Sequence, residues 1–274
     1  MKKVNYLNNK DLLLEIHRSK NTYSSYTKPE YHRYDLILPN IDKINIRTVA
    51  EAKRVRAKRL AQEAFEVAKA ENAKVKLAEF EIDYKNIEKT DLVFRIMTYD
   101  HIPDAPGRKK SIKNPADAKE KVNFPAFQHW KFNDKDELVC VGKSHWTGAM
   151  KSGKFCKDHG QITDKLARMF IKLCERYATR GNVRGYTYND DMKGQAILQL
   201  TQIGLQFDES KSDNPFAYFT AAVTNSFVRV INIEKKMQNI RDDILEMNGM
   251  SPSYTRMVNA EYDAALKREG QSET

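Results

Sequence analysis

Residues 214–236, NPFAYFTAAVTNSFVRVINIEKK, contain a helical pattern with two chemically different faces. Asn214 can accept a hydrogen bond from a free amide of the first turn, and Pro215 suits the first helical position, where no N–H is needed. At about 100° per residue, four apolar side chains form one stripe: Phe219, Val223, Phe227 and Val230. Such a stripe must pack against a core. The segment therefore predicts an amphipathic helix whose partners are other parts of a helix-rich protein.

The other stripe of this predicted helix is polar. It combines an aromatic ring, two amides and two cations, and only two alanines interrupt it: Tyr218, Ala221, Ala222, Asn225, Arg229, Asn232 and Lys236. Rings stack on bases, amides bond base edges, and cations neutralise phosphates. A solvated outer face has the same general pattern. The choice between the two interpretations depends on the rest of the chain.

Composition excludes several classes of protein. Of 274 residues, 31% are charged and 41% are apolar, which is typical of a soluble, ordered, helix-rich chain. No apolar run approaches the roughly 18 residues of a membrane span, and the N-terminus has no apolar signal core. The three cysteines cannot all pair, so we expect no disulfide framework. A cytoplasmic protein is the expectation.

The net charge of +10 favours a polyanionic or acidic partner, but it is distributed unevenly. Residues 160–274 carry 15 Lys plus Arg and 15 Asp plus Glu; of the totals of 47 and 37, residues 1–159 therefore carry 32 and 22. The excess positive charge thus lies entirely in the N-terminal part. Nucleic-acid binding by the helix at 214–236 would depend on local geometry, while the N-terminal part supplies the diffuse attraction.

Patterns along the chain indicate a mainly α protein with an α+β insert. Helices are predicted at 8–19, 47–80 and repeatedly from 160 onward, and strand-like segments at 35–39, 92–100, 124–132 and 137–146. The resulting division is an N-terminal helix belonging to the core (1–26), a basic insert (27–160), a helical domain (161–245) and a C-terminal tail (246–274). In the long insert helix, five cations can meet phosphates, an acidic protein face or solvent: Lys53, Arg54, Arg56, Lys58 and Arg59.

Four potential zinc ligands occur within twenty residues of the insert: Cys140, His145, Cys156 and His159. Their types suit a structural zinc site, but their spacing lacks the close Cys-x2-Cys pair, and buried cysteines with ordinary polar histidines explain them equally simply. We therefore predict no metal and no cofactor. No nucleophile motif or phosphate-binding glycine loop is present either, so we expect no enzymatic activity.

The segment 190–208, DDMKGQAILQLTQIGLQFD, predicts a helix with an uncharged polar stripe. Gln195, Gln199, Gln202 and Gln206 lie within about 60° of one another on a helix. An adjacent apolar face contains Met192, Ala196, Leu200, Ile203 and Phe207. Amides bond a protein partner without the cost of burying charge, so the stripe favours a protein–protein contact. A central core helix with one solvated edge has the same pattern.

The order of these segments resembles region 2 of bacterial sigma factors, over about residues 165–243. In that family one helix, ending in an apolar residue plus Phe-Asp, docks on the polymerase clamp, and the next opens the promoter −10 element. Leu205-Gln206-Phe207-Asp208 and Phe216-Ala217-Tyr218 occupy the matching positions. The chain is most similar to the late-transcription sigma factors of T-even-like bacteriophages, whose N-terminal pattern also looks like residues 4–16, VNYLNNKDLLLEI.

The resemblance implies a sigma region 2-like helical core and assigns roles to residues. Clamp contacts of core RNA polymerase fall on Gln195, Leu198, Gln199, Thr201 and Gln202. Contacts to −10 promoter DNA fall on Tyr218, Ala221, Ala222, Asn225, Arg229, Asn232 and Lys236. Primary sigma factors carry a Trp pair where this chain has Ala221 and Ala222, which implies weaker melting, limited to A/T-rich elements.

The expected function is that of a promoter-specificity factor for phage late genes in the cytoplasm of the infected bacterial host. The phage relatives engage a sliding clamp through an acidic, aromatic tail; the end of this chain, EYDAALKREGQSET, lacks that aromatic anchor, which leaves a sliding clamp or co-activator open as a partner. One alternative is a free-standing nucleic-acid-binding protein that uses the basic insert, with or without zinc. Another is a phage structural or scaffold protein whose helices pair with other chains.

Overall fold

The computed structural model of the chain describes residues 7–71, 75–107 and 118–272. The protein is mainly α with some β, as the sequence predicts. The helices in these ranges are α1 (Asn9–Thr22), α2 (Ile46–Glu71), α3 (Asp164–Ala178), α4 (Asn189–Ile203), α5 (Pro215–Met247) and α6 (Tyr254–Ser272). The strands are β1 (Ser24–Tyr26), β2 (Leu36–Leu38), β3 (Val93–Met97), β4 (Phe127–Phe132), β5 (Leu138–Ser144), β6 (Trp146–Thr147) and β7 (Lys154–Phe155). Within the same ranges, no helix has the length and apolar character of a membrane span.

The chain forms two compact units. The first comprises Met1–Leu173 and Thr201–Phe219, and the second comprises Cys174–Leu200 and Thr220–Thr274. The divisions fall inside α3, α4 and α5, and α6 lies in the segment predicted as a tail. The boundaries predicted after residues 26, 160 and 245 stay predictions.

A five-stranded sheet forms the centre of the first unit, in the order β1-β5-β4-β3-β2. All neighbours are antiparallel except β2 and β3, which are parallel, and a bulge interrupts the β4–β5 register between His129 and Trp130. Strands β2, β3, β4 and β5 coincide with the predicted strand-like segments, whereas β1 was not predicted. Ala52 and Ala57 of α2 are buried in one cluster with Leu38, Phe94 and other sheet residues, because small side chains let the helix approach the sheet closely.

Two predicted helices extend too far in the sequence analysis, and one is too short. The helix predicted at 47–80 ends at Glu71, and Leu77–Phe80 forms a 3-10 turn instead. Phe80 packs on Phe65 of α2, with 6.3 Å between ring centroids, so tertiary packing overrides the helix propensity of this segment. The helix predicted at 190–208 ends at Ile203, while the helix predicted at 214–236 continues to Met247.

A buried ion pair joins α1 to the segment that precedes α5. The ammonium group of Lys20 donates to both carboxylate oxygens of Glu209 at 2.8 Å and to the carbonyl oxygen of Phe207 at 2.7 Å. The Lys20 and Glu209 side chains are only 1% and 6% exposed. Burial opposes ionisation of Glu209, but the charge of Lys20 and a hydrogen bond from His17 hold the pKa of Glu209 well below its usual range.

A second buried cation lies in the sheet. The guanidinium of Arg95 lies 4.0 Å from the ring centroid of Tyr34 and 3.8 Å from that of Phe127, and its Nε donates to Nε2 of His129 at 3.0 Å. Nδ1 of His129 then donates to the carbonyl oxygen of Tyr31 at 2.7 Å. Burial, together with Arg95, keeps the pKa of His129 well below its ordinary value, so the imidazole is neutral and accepts from Arg95.

Breaking the Lys20–Glu209 pair is expected to destabilise the first unit strongly. Lys20→Met leaves a buried carboxylate without its partner, and we expect the free energy of unfolding to fall by about 3–5 kcal/mol in chemical denaturation. Lys20→Met with Glu209→Leu removes both charges and should recover most of that loss. The control is Lys10→Met, which breaks an exposed pair with Glu66 and should cost less than about 1 kcal/mol. Equal losses for Lys10→Met and Lys20→Met would contradict this assignment.

The lowered pKa of Glu209 also predicts an acid-sensitive fold. Because the folded pKa lies below the unfolded value of about 4.3, the stabilisation is complete above the unfolded pKa and is lost progressively as the pH falls from there through the folded pKa. Below about pH 4, we expect the free energy of unfolding of the wild type to fall by up to about 1.4 kcal/mol per pH unit. Glu209→Gln should not show this loss. Denaturation midpoints measured at several pH values test this; parallel pH profiles for the two proteins would rule it out.

Candidate nucleic-acid and protein interface

The start of α5 is fixed by two asparagines. Asn214 accepts from the amide of Ala217 at 3.0 Å, and Pro215 occupies the first helical position, as predicted. Asn9 of α1 accepts from the amide of Phe216, also at 3.0 Å. Two of the amides that a helix N-terminus leaves free are therefore bonded, and α1 contacts the first turn of α5 directly.

Three of the four residues in the predicted apolar stripe of α5 are buried, and the fourth, Val230, is half-buried. In the first unit, Phe219 is fully buried and meets the ring of Phe170 edge-on, with centroids 4.9 Å apart. In the second unit, Phe227 meets Tyr177 in the same way, also at 4.9 Å. Val223 is also fully buried. These contacts fix the rotation of α5 and so determine which residues point outward.

The polar stripe of α5 is exposed within the second unit. Asn225, Arg229, Asn232 and Lys236 are all exposed, and none makes a side-chain hydrogen bond or ion pair with a residue that the structure describes. From Asn225 to Lys236 the stripe extends roughly 17 Å along the helix. Its amides and cations are therefore available to a ligand instead of being used in the fold.

Tyr218, at the start of the same helix, belongs to the first unit. Its ring meets Phe207 and Phe219 edge-on at centroid distances of 5.6 and 5.4 Å, and the residue remains 36% exposed. Burial raises the pKa of the phenol above its usual value, and the hydroxyl has no hydrogen-bond partner among the described residues. The ring is thus held by apolar contacts, and part of it remains accessible. Of the two alanines that follow, Ala221 is exposed and Ala222 is half-buried.

The polymerase contacts predicted on α4 have mixed exposure. In the second unit, Leu198 is 52% exposed, an unusual position for leucine, while Gln195 and Gln199 are half-buried. In the first unit, Thr201 and Gln202 are exposed. The adjacent apolar face is confirmed in part: Met192, Ala196 and Leu200 are fully buried, Ile203 is half-buried, and Phe207 lies beyond the end of the helix. The fourth glutamine of the predicted stripe, Gln206, lies beyond the end of α4, so its alignment with the other three was predicted wrongly.

The segment Leu205 to Asp208 does not form the exposed end of a docking helix. Leu205 and Phe207 are 5% and 2% exposed, because the chain turns inward after Ile203 and places both side chains in the core. Asp208 accepts from the amide and the hydroxyl of Ser210 at 3.0 and 2.6 Å, which shapes the turn that follows. Leu205 and Phe207 therefore belong to the core of the first unit, and the polymerase docking that the resemblance implies for this segment stays a prediction.

The four potential zinc ligands do not converge. Over the described residues, no group of three or more His, Cys, Asp or Glu side chains is placed to hold a metal ion. His145 is buried against the ring of Phe124 at a centroid distance of 4.1 Å, and the thiol of Cys140 lies 3.5 Å from the carbonyl oxygen of Gly142. Nδ1 of His159 lies 3.0 Å from the carbonyl oxygen of Cys156, and the ring meets that of Tyr23 edge-on at a centroid distance of 6.0 Å. The zinc hypothesis for Cys140, His145, Cys156 and His159 was therefore wrong.

The buried polar residues that stabilise this region were not predicted from the sequence. Lys20, Glu209 and Arg95 have no periodic signature, and His129 looked like one of several scattered histidines. The one available signal was that Arg95 interrupts the apolar residues of a strand.

No protein-family model, curated protein or solved structure matches this chain.

Alanine substitutions of one buried and one exposed side chain distinguish core residues from surface residues in this region. We expect Phe207→Ala to lower the free energy of unfolding by about 3–5 kcal/mol, because it removes a fully buried ring. Leu198→Ala should change it by no more than about 0.5 kcal/mol, because half of that side chain already meets solvent. Urea denaturation of both variants measures the difference. Comparable losses would mean that Leu198 contributes to the core as much as Phe207 does.

Proposed function

We propose that this chain is a promoter-specificity factor of the sigma class, acting in the cytoplasm of a phage-infected bacterium. In this proposal α4 binds the clamp helices of the host core RNA polymerase, and α5 directs recognition and opening of A/T-rich −10 elements of phage late promoters. The protein has no catalytic role of its own. The observation that carries the proposal is the exposed stripe of α5, whose amides and cations make no bonds within the described fold.

The chemistry of this stripe suits unpaired or distorted DNA. Asn225 and Asn232 supply both donors and acceptors for base edges, and Arg229 and Lys236 supply charge for phosphates. Tyr218 offers a partly exposed ring held rigidly by Phe207, which favours stacking on an extruded base. Ala221 and Ala222 supply no large wedge, so opening depends on sequences that unpair easily.

Charge explains why such a factor would need the polymerase. Residues 160–274 carry equal numbers of cationic and anionic side chains, so this part of the chain has no general attraction for DNA. Two cations on one stripe give weak binding that salt abolishes easily. A protein partner that holds α5 against the promoter overcomes this, because the second contact becomes intramolecular. On α4, the exposed Leu198 between Gln195 and Gln199 suits such a partner.

The alternative, a free-standing nucleic-acid-binding protein, is less well supported. Its main surface would be the basic insert, residues 27–160, but in the insert helix α2 Arg56 and Arg59 are paired with buried Asp35, at 3.4 and 2.8 Å. The guanidinium of Arg54 lies over the ring of Tyr84 at 5.1 Å. Only Lys53 and Lys58 of that cluster remain unpaired within the described residues. A sliding clamp or co-activator remains open as a further partner.

Transcription with purified components tests the proposal. The substrate is a promoter library with a randomised −10 element, incubated with core polymerase and the chain together or separately. We expect run-off transcripts only from the complete mixture, and selection of A/T-rich elements. Tight, sequence-independent DNA binding by the chain alone, with no association to core polymerase, would contradict the proposal.

Variants of α5 make the test residue-specific. Tyr218→Ala should reduce open-complex formation roughly tenfold, because it removes one stacked base contact, while Tyr218→Phe should retain most activity. Arg229→Ala should weaken complexes of every sequence to a similar extent, as the loss of a phosphate contact does. The matched control is Lys235→Ala, an exposed cation that lies off the stripe. An effect of Lys235→Ala as large as that of Arg229→Ala would mean that general charge, and not the stripe, governs binding.

A further inference from the structure

The second half of α5 carries an apolar stripe with the spacing of a coiled coil. Apolar residues recur with alternating steps of three and four, which defines the a and d positions of a heptad. The a positions are Val230, Met237 and Ile244, and the d positions are Ile233, Ile240 and Met247. We call these six residues the α5 seam.

The α5 seam lies on the surface of the second unit. Five of its residues, all except Val230, are between 43% and 86% exposed. The segment that leads into α6 occupies another side of α5, where Ser253 is bonded to Asp242 at 2.7 and 2.9 Å and to Gln238 at 3.2 Å. Asp242 is buried there, while the seam residues on either side of it in the sequence are exposed. A contiguous apolar row of this kind marks a protein contact.

The charges beside the α5 seam identify the occupant. Glu234 and Arg241 occupy the e positions, and Lys236 and Asp243 occupy the g positions, where partner choice in coiled coils is determined. Glu234, Lys236 and Arg241 form no ion pair with other described residues, whereas Asp243 already contacts Arg256 at 2.6 Å. The g flank also carries Arg229, one heptad before Lys236. Over residues 234–243, each flank carries one charge of either sign, in opposite order along the helix.

This arrangement is complementary to itself when two copies of α5 run antiparallel. With Met237 opposite Ile240 of the second copy, Ile233 meets Ile244, and every a position faces a d position. The e residue Glu234 then lies beside Arg241 of the second copy, and the g residue Lys236 lies beside Asp243 of the second copy. By symmetry each pair occurs twice, so four attractive pairs flank six apolar layers.

Other alignments are less favourable. Shifting the antiparallel pairing by one heptad in one direction brings Glu234 against Glu234 and Lys236 against Lys236. The shift in the other direction brings Arg241 against Arg241 and Asp243 against Asp243. A parallel, in-register pair gains an Arg229–Glu234 contact but places Lys236 beside Arg241. Like charges at these positions are destabilising, so they select one register.

We propose that a second copy of this chain occupies the α5 seam, in an antiparallel homodimer centred between Met237 and Ile240. Six layers form a short interface, so dimerisation is concentration-dependent and sensitive to salt. The proposal does not depend on the promoter-binding function. Lys236 belongs both to the dimer flank and to the polar stripe of α5, so self-association and DNA contact compete at that residue.

Charge reversal tests the proposal through the oligomeric state of the full chain, measured by sedimentation velocity over a concentration series. The wild type is expected to shift from monomer to dimer as its concentration rises. Glu234→Arg alone and Arg241→Glu alone each turn two attractive pairs into repulsive ones, which should weaken the dimer at least about tenfold. An equimolar mixture of these two variants restores both pairs, so it should dimerise like the wild type.

The controls separate this geometry from loss of folding and from other alignments. Lys235→Glu, an exposed charge outside the e and g positions, should leave dimerisation unchanged, and circular dichroism should show that all variants keep their helix content. A parallel dimer would instead be strengthened by Arg241→Glu, because Lys236 would then gain an attractive partner. A wild type that stays monomeric at its highest soluble concentration, a strengthened Arg241→Glu dimer, or a mixture that fails to dimerise would each overturn the proposal.

Discussion

Lys20 and Glu209 carry opposite charges inside the first unit, and their pairing fixes the positions of the segments around them. A buried ammonium or carboxylate is costly alone, so the fold is stable only when the two atoms meet, here at 2.8 Å. Lys20 also bonds the carbonyl oxygen of Phe207, which fixes the backbone two residues before Glu209. Phe207 in turn contacts the ring of Tyr218. A chain of direct contacts therefore runs from α1 to the aromatic residue at the start of α5.

Helix α5 combines three surfaces with different chemistry. Phe219, Val223 and Phe227 are buried and orient the helix within its surroundings. The polar stripe from Asn225 to Lys236 makes no side-chain bond with a described residue and is the surface proposed for nucleic acid, whereas the α5 seam is the surface proposed for a second copy of the chain. Residues three or four positions apart share a face of a helix, so one helix can present several surfaces, and Lys236 lies where the polar stripe meets the flank of the α5 seam.

Much of this architecture could be predicted from local patterns. Residue type and spacing predict the helical period of α1, α3, α4 and α5, the cap at Asn214 and the apolar strands, and the structure confirms them. Helix ends that depend on tertiary contacts could not be predicted: Phe80 folds back on Phe65, and Phe207 turns into the core. The Lys20–Glu209 pair joins residues that are far apart in the chain, so no local pattern reveals it. The zinc hypothesis failed for the related reason that closeness in sequence did not bring four ligands together.

In the candidate site, the exposed stripe of α5 was predicted correctly from the sequence. Gln206 and Phe207 were predicted to belong to α4, but this helix ends before them.

We propose that α4 binds a polymerase and that α5 binds promoter DNA through a separate surface. In this proposal, α5 binds the DNA only when the polymerase is bound. Hydrogen–deuterium exchange of the full chain tests this most directly, alone, with DNA, with core RNA polymerase, and with both. The account predicts that core polymerase protects amides of α4, and that amides of α5 between Tyr218 and Lys236 gain protection only when core and promoter DNA are present together. Protection by DNA alone, located in residues 27–160 and unchanged when polymerase is added, would contradict it.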